Sequence, residues 1–245
     1  MKFLGKLTVA LIGVAFVSPL QAQEEIQFVN AFKGEWFVFD PSYAHAGGTC
    51  KLELEGGGQG NGTYGITTSK CAAPINDLVG WRIQKGQIFL LDKDGSAVAT
   101  LGGNQRRITG VIAGAPRSAI VVERGSGDGN SARLNQAVSR HGCLFRGFTD
   151  RCIQSSNLVG PDFANDSESV IEVIVNLNVR AQPRHDAPII GTIPRAARIT
   201  VNECLLASDG IWCAARFGEE VGWFARTGLR QNEWPVATFV PADNS

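Results

Sequence analysis

The chain has 245 residues, among them 29 glycines and 10 prolines, with a formal net charge of zero from 23 basic and 23 acidic side chains. The length suits one large or two small domains, and the many short apolar runs broken by Gly, Asn and Asp point to β structure with tight turns. The balanced charge excludes capture of nucleic acid or anionic lipid by a one-signed field.

Residues 1–22 read as a secretory signal. Lys2 and Lys6 supply a positive start, and Leu7 to Val17 is an apolar core too short to span a bilayer. Leu20-Gln21-Ala22 suits cleavage before Gln23. No Leu-x-x-Cys acylation site follows. The expected product is periplasmic or secreted and carries no membrane span.

All six cysteines, Cys50, Cys71, Cys143, Cys152, Cys204 and Cys213, lie beyond the signal. An even count in an oxidising compartment reads as disulfides. Of the possible connectivities, the three sequence-local pairs 50–71, 143–152 and 204–213 are favoured. A zinc site competes weakly, because Cys-x-x-Cys spacing is absent and His45, His141 and His185 form no cluster. No metal or other cofactor is expected. Every lysine is at or before Lys93 and arginine dominates afterwards, a shift that suggests parts of different origin.

Gln23 to Phe32 reads as a first strand, a frayed terminus, or an arm held outside the fold. Trp36 to Phe39 alternates as a strand. Cys50, Leu52 and Leu54 share one face of the next, with Lys51, Glu53 and Glu55 on the other, which marks a sheet with one wet side. Gly56 to Gly62 is expected to be a flexible turn; it lacks the Lys-Ser/Thr ending of a phosphate loop. Further strands are Thr63–Thr67, Trp81–Ile83, Ile88–Leu91, Ala97–Leu101, Ile108–Ile112 and Ala119–Val122. About eight short strands suffice to close a small barrel filled by its own side chains, Trp36 and Trp81 among them.

The ordered set Gly34-x-Trp36, Cys50-Lys-Leu-Glu-Leu, Cys71, Trp81-Arg82, Ile88-x-Leu-Leu-Asp, Gly95 and Leu101-Gly102 resembles the alkaline proteinase inhibitor (Inh) family. These are small secreted bacterial inhibitors of serralysin-type zinc metalloproteases, built as lipocalin-like barrels. The resemblance implies a protease-inhibitor-like barrel over residues 23–124. It also implies a protease-binding arm, here Gln23, Glu24, Glu25, Ile26 and Gln27, laid in the target's cleft near the catalytic zinc. Family arms start with small uncharged residues, whereas this one starts Gln-Glu-Glu. Gln23 can cyclise and lose its amine, and a Glu24 carboxylate is then the available oxygen donor to the target's zinc.

Residues 125–169 read as a linker, with a short helix over Ala132–Ser139 and a small disulfide loop between Cys143 and Cys152. His141 beside Cys143 suggests a Cys-His nucleophile, but a half-cystine is the stronger reading with Cys152 at hand. Residues 170–230 carry Leu177-Asn178-Val179-Arg180, Pro183, Gly210-Ile211-Trp212 and Gly222-Trp223-Phe224. That order resembles the bacterial SH3-like domain, a small barrel whose relatives often recognise cell-wall peptides or proteins. Arg180, Trp212 and Trp223 read as structural residues. Cys204 and Cys213 would pair across a hairpin around Ala207–Gly210. Residues 231–245 read as a loosely held polar tail.

The expected fold class is therefore all-β, an eight-stranded lipocalin-like antiparallel barrel followed by a small SH3-like barrel. The expected function is inhibition of a secreted or periplasmic metalloprotease, with the SH3-like module for targeting to peptidoglycan or an envelope protein. The alternative is a non-inhibitory cell-envelope binding protein. An enzyme is not expected, because Gly-x-Ser-x-Gly, His-Glu-x-x-His and paired carboxylates in a recognisable context are all missing.

Overall fold

A computed structural model describes residues 19–45, 48–114, 119–125, 127, 129–158 and 168–242. The basic start and apolar core of the predicted signal lie outside the described residues. After a first helix, α1 (Pro19–Phe32), come β1 (Gly34–Val38), β2 (Cys50–Gly60), β3 (Thr63–Ser69), β4 (Gly80–Gln84), β5 (Gln87–Leu91), β6 (Ala97–Gly103), β7 (Arg107–Ile112) and β8 (Ala119–Glu123). These eight strands close an antiparallel barrel in sequence order, with β1 meeting β8 where Phe37 pairs with Glu123. Each strand expected in this region has its counterpart. The inward positions Trp36, Leu52, Leu54, Trp81, Leu90, Leu101 and Ile108 are buried and fill the barrel.

The glycine run departs from expectation. β2 continues through Gly56, Gly57 and Gly58 to Gly60, with irregular register between Leu54 and Gly58 and again between Gly58 and Gly60. The reversal is confined to Asn61 and Gly62, both with positive φ (54° and 68°). An Asn-Gly pair suits the two-residue hairpin turn, and bulged glycines let the strand curl without ending it.

The C-terminal half holds α2 (Gly129–His141), β9 (Phe145–Arg146), β10 (Ser169–Val173), β11 (Leu177–Arg180), β12 (Ile189–Ile193), β13 (Arg198–Val201), β14 (Glu203–Ala207), β15 (Gly210–Phe217), β16 (Glu220–Ala225), β17 (Thr227–Arg230), β18 (Trp234–Ala237) and β19 (Phe239–Pro241). Three sheets result, ordered β13-β10-β19, β12-β11-β16-β15-β14 and β17-β18-β9. Residues 232–242 are no loose tail. Val236, Ala237, Phe239 and Val240 are buried, and β19 completes the sheet around β10. Trp234 to Val240 is apolar apart from Thr238 and is buried at every position from Pro235 on, as a segment covered on both faces must be. The described residues 129–158 of the region read as a linker are likewise packed. α2 lies against β18, Phe145 pairs in parallel with Val236, and His141 stacks on Trp234 at 4.5 Å between ring centroids. The disulfides join Cys50 to Cys71, Cys143 to Cys152 and Cys204 to Cys213, the three local pairs. Cys143 is thus no nucleophile.

The two halves meet across the outer face of β7 and β8. Ile120 and Val122 point into the barrel, while Ala119 and Val121 pack against Leu205, Ala207, Trp212, Ala214, Trp223 and Ala225. Trp212 and Trp223 are therefore packing residues of this interface. At one edge sits a buried ionic cluster. The Arg107 guanidinium, fully buried, donates to Asp209 Oδ2 at 2.9 Å and Oδ1 at 2.5 Å, and its Nε lies 3.0 Å from Glu123 Oε1. Ser208 donates to Glu123 from its backbone N–H (2.6 Å) and its hydroxyl (2.7 Å). Trp212 Nε1 donates to Asp209 Oδ1 at 3.1 Å, and His185 Nε2 lies 3.2 Å from Oδ2. Burial pushes the Glu123 carboxyl up against the opposing pull of Arg107. Burial works on Asp209 in the same sense, but its contacts with His185 and Arg107 outweigh it and hold this carboxyl well below the usual range. Gly127 (φ +78°) lets the chain pass tightly here, where a Cβ would strike the Glu123 carboxylate and the Ser208 hydroxyl.

Candidate functional site

The expected arm begins on a helix. Gln23 to Gln27 are consecutive residues of α1, whose backbone runs from Pro19, ahead of the predicted cleavage point, to Phe32. Leu, Ala, Gln and Glu are good helix formers, and Pro at the first position is tolerated because its missing N–H has no partner there. Glu25, Val29 and Phe32 follow at i, i+4 and i+7 and so share one face. That spacing is the signal a strand reading of Gln23–Phe32 passes over. The helix gives way to β1 at Gly34, whose φ of +108° is a region side chains rarely adopt.

This face seats α1 on the barrel. Val29 and Phe32 are buried in the barrel core. The Phe28, Phe32 and Trp36 rings stack in series, 5.9 and 6.2 Å apart. Trp36 Nε1 donates to the Phe32 carbonyl at 2.7 Å. Arg124, just past β8, donates to the Ala31 and Lys33 carbonyls at 3.3 and 2.6 Å, and its guanidinium lies 4.9 Å from the Trp36 ring centroid. A cation at a helix C-terminus satisfies carbonyls the helix cannot and complements the helix dipole.

Among the described side chains, one hydrogen bond ties the leading half of α1 to the barrel. Tyr64, on β3, donates its hydroxyl to Glu25 Oε1 at 3.0 Å. Its ring packs 5.2 Å from Trp81, whose Nε1 donates to the Glu55 carbonyl at 3.1 Å. Burial, then the bond to Glu25, pushes the Tyr64 hydroxyl up from its ordinary value. Ile26 and Phe28 are 59% and 43% exposed, large apolar groups left open to a partner. The structure thus brings Glu25 to the barrel rim and leaves Ile26 and Gln27 facing solvent. Among the described residues, no group of three His, Cys, Asp or Glu side chains is placed to hold a metal ion.

Trp36, Cys50, Cys71 and Trp81 follow one another around the closed eight-stranded barrel. Residues 28–114 match the family described as Protease inhibitor Inh. The match to the inhibitor family runs from the second half of α1 through β7, and the residues of the expected arm, Gln23 to Gln27, precede it. No curated protein matches the chain. Two solved structures of lysostaphin are weakly similar. One, an NMR solution structure, is 11% identical over 64% of this chain and 75% of that one, with a TM-score of 0.25. The other, the antimicrobial peptidase lysostaphin from Staphylococcus simulans, is 9% identical over 88% and 96%, with a TM-score of 0.26. Scores this low carry no argument about this chain.

Among the described residues, no helix is long and apolar enough to cross a membrane. Three disulfides suit an oxidising compartment.

Proposed function

We propose that this chain is an exported inhibitor of a serralysin-type zinc metalloprotease, and that Gln23 to Gln27 enter the target's cleft while the barrel holds them in place. The observation that carries the reading is the inhibitor-family match beginning at Phe28, one residue before Val29 enters the barrel core. Helical structure over the arm is compatible with this role. Helical N–H groups bond to carbonyls in the preceding turn. Cleavage before Gln23 removes the carbonyls of Pro19 to Ala22, so the first turn of the product loses its acceptors and unwinds at little cost. Glu25–Tyr64 is then the tether to break before the arm extends, and an extended arm has main chain free to pair with a sheet edge of the protease. The rigid barrel reduces the entropy lost on binding. The C-terminal unit serves as a targeting module in the same reading.

The test compares residues 23–245 with residues 28–245 against a serralysin-type metalloprotease. Inhibition by the longer form and loss of at least about a hundredfold in the shorter is expected, since removed main-chain and charged hydrogen bonds together exceed about 2.7 kcal/mol. Equal inhibition by both forms overturns the arm mechanism, and inhibition by neither overturns the inhibitor reading for this class of protease.

A further inference from the structure

The C-terminal unit carries a groove that the inhibitory reading does not use. Its volume is about 350 Å³, and it is lined by strands β11, β17 and β18 together with His185, Trp212 and Phe148. Phe148 belongs to the loop closed by Cys143–Cys152, so that disulfide loop builds one wall of the groove. Among the described residues no acidic side chain lines it, whereas Arg180, Arg230 and His185 do.

Both arginines are fixed in place with donor capacity to spare among the described residues. Arg230 lies between two rings, its guanidinium carbon 5.7 Å from the centroids of Phe148 and Trp234. It donates once, to the Phe148 carbonyl at 3.3 Å, and its Nε is buried without a partner. Arg180 donates to the Ala187 carbonyl at 2.8 Å, which fixes the side chain and leaves other N–H groups of its fork uncommitted. Neither forms an ion pair among the described residues. The nearby carboxylates are already engaged, Asp209 by Arg107, and Asp186 by Arg184 and Asn104. Two half-buried guanidiniums in a concavity without acid focus positive potential there. The planar fork matches a carboxylate in bidentate fashion. Val175, Leu177, Leu229 and Val236 add apolar lining, and the Asn178 side chain adds an amide at the same place. That mixture fits a peptide better than a bare anion, since an apolar side chain and an amide backbone also find partners.

We propose that this groove binds a short peptide through a carboxylate held by Arg180 and Arg230. The proposal gives the targeting module a ligand class and does not depend on protease inhibition. The test titrates the full chain with three capped peptides, acetyl-Ala-Ala-Ala with a free C-terminus, the same peptide amidated, and acetyl-Ala-Glu-Ala-amide, followed by amide and guanidinium NMR shifts. The free acid is expected to bind and to shift Asn178 and Gly228, with the amide at least about tenfold weaker, as loss of one charge-assisted hydrogen-bonded pair requires. Binding by the Glu peptide assigns the site to side-chain carboxylates as well as chain termini and supports the same chemistry. Arg230→Gln, which leaves the β17–β18 backbone pairing in place, is expected to weaken the acid at least about tenfold. Arg180→Lys, which retains charge but not the fork, is expected to weaken it less than Arg180→Gln. Equal binding of acid and amide, undiminished binding by Arg230→Gln, or no binding of either carboxylate peptide overturns the proposal. A parallel inhibition assay on Arg230→Gln is expected to be unchanged, which keeps failure here separate from failure of the inhibitory reading.

Discussion

Replacing Asp209 with alanine tests whether the two halves of the chain are clamped by charge. Asp209 is 2% exposed and accepts two hydrogen bonds from Arg107 and one from the Trp212 indole. Each hydrogen bond to a charged group is worth about 1.5–3 kcal/mol, and breaking a buried pair typically costs about 3–5 kcal/mol. Glu123 stays beside Arg107, so the guanidinium is not left without a counter-charge. The expected loss is therefore near the lower half of that range, about 3–4 kcal/mol. For a chain of this size, that moves the melting temperature by on the order of ten degrees. Urea unfolding followed by tryptophan fluorescence reads both halves, because Trp36 and Trp81 lie in the barrel and Trp212 and Trp223 in the interface. Substituting Arg107→Met, Glu123→Gln and Asp209→Asn together is expected to cost less than Arg107→Met alone, which strands two buried acids. A loss below about 1 kcal/mol for Asp209→Ala, the scale of an exposed ion pair, would refute the clamp.

Phe32→Ala, which empties the seat of α1, is expected to cost about 3 kcal/mol in urea unfolding, the low end for a buried aromatic because the rim can admit water. On the proposed arm mechanism it also weakens inhibition. Glu25→Gln is expected to lower the Tyr64 pKa part of the way back toward its ordinary 10.0, read by ultraviolet titration of the phenolate, because burial, the larger cause, remains. The pH dependence of the clamp follows from the depressed pKa of Asp209. Its contribution is present above the unfolded value of 3.8 and is lost as pH falls below that toward the folded value. The stability gap between wild type and Asp209→Asn, measured by urea unfolding, should therefore narrow below about pH 4. Glu123, with its pKa raised, works in the opposite sense and softens the change.

The barrel was legible because period-two alternation is plain in strands such as β1 and β2 and each strand pairs with its sequence neighbour. The local disulfides were legible for the same reason, as Cys204 and Cys213 face each other in one hairpin. What escaped depends on longer range. Arg107 and Asp209 are 102 residues apart, and no local pattern joins them. One trace of the interface was present, since Ala119-Ile120-Val121-Val122 is apolar without alternation, as a strand covered on both faces must be. The seat of α1 was recorded only in the spacing of Glu25, Val29 and Phe32, and its lock, Arg124, has no local signature at all. The groove on the C-terminal unit needs the disulfide loop and β17 together, which a domain-by-domain reading separates.

The interface also bears on how much of the chain an inhibitor needs. Residues 23–124 alone contain every strand of the closed barrel and the whole of the described seat for α1. They also contain one half of the interface. Cut there, Ala119, Val121, Thr109, Arg107 and Glu123, all buried in the full chain, turn to solvent. The apolar members lose their cover, and Arg107 trades Asp209 for water, which suits an exposed cation well. Exposed apolar area is therefore the main penalty, at about 25 cal/mol per Å². The isolated barrel should melt below the full chain and self-associate through β7 and β8, with Val121→Thr restoring a monomer. Size-exclusion chromatography and thermal unfolding of residues 23–124 decide this. A monomeric barrel that melts with the full chain would mean that the two halves are merely tethered, and that the C-terminal unit adds nothing to the stability of the face it covers.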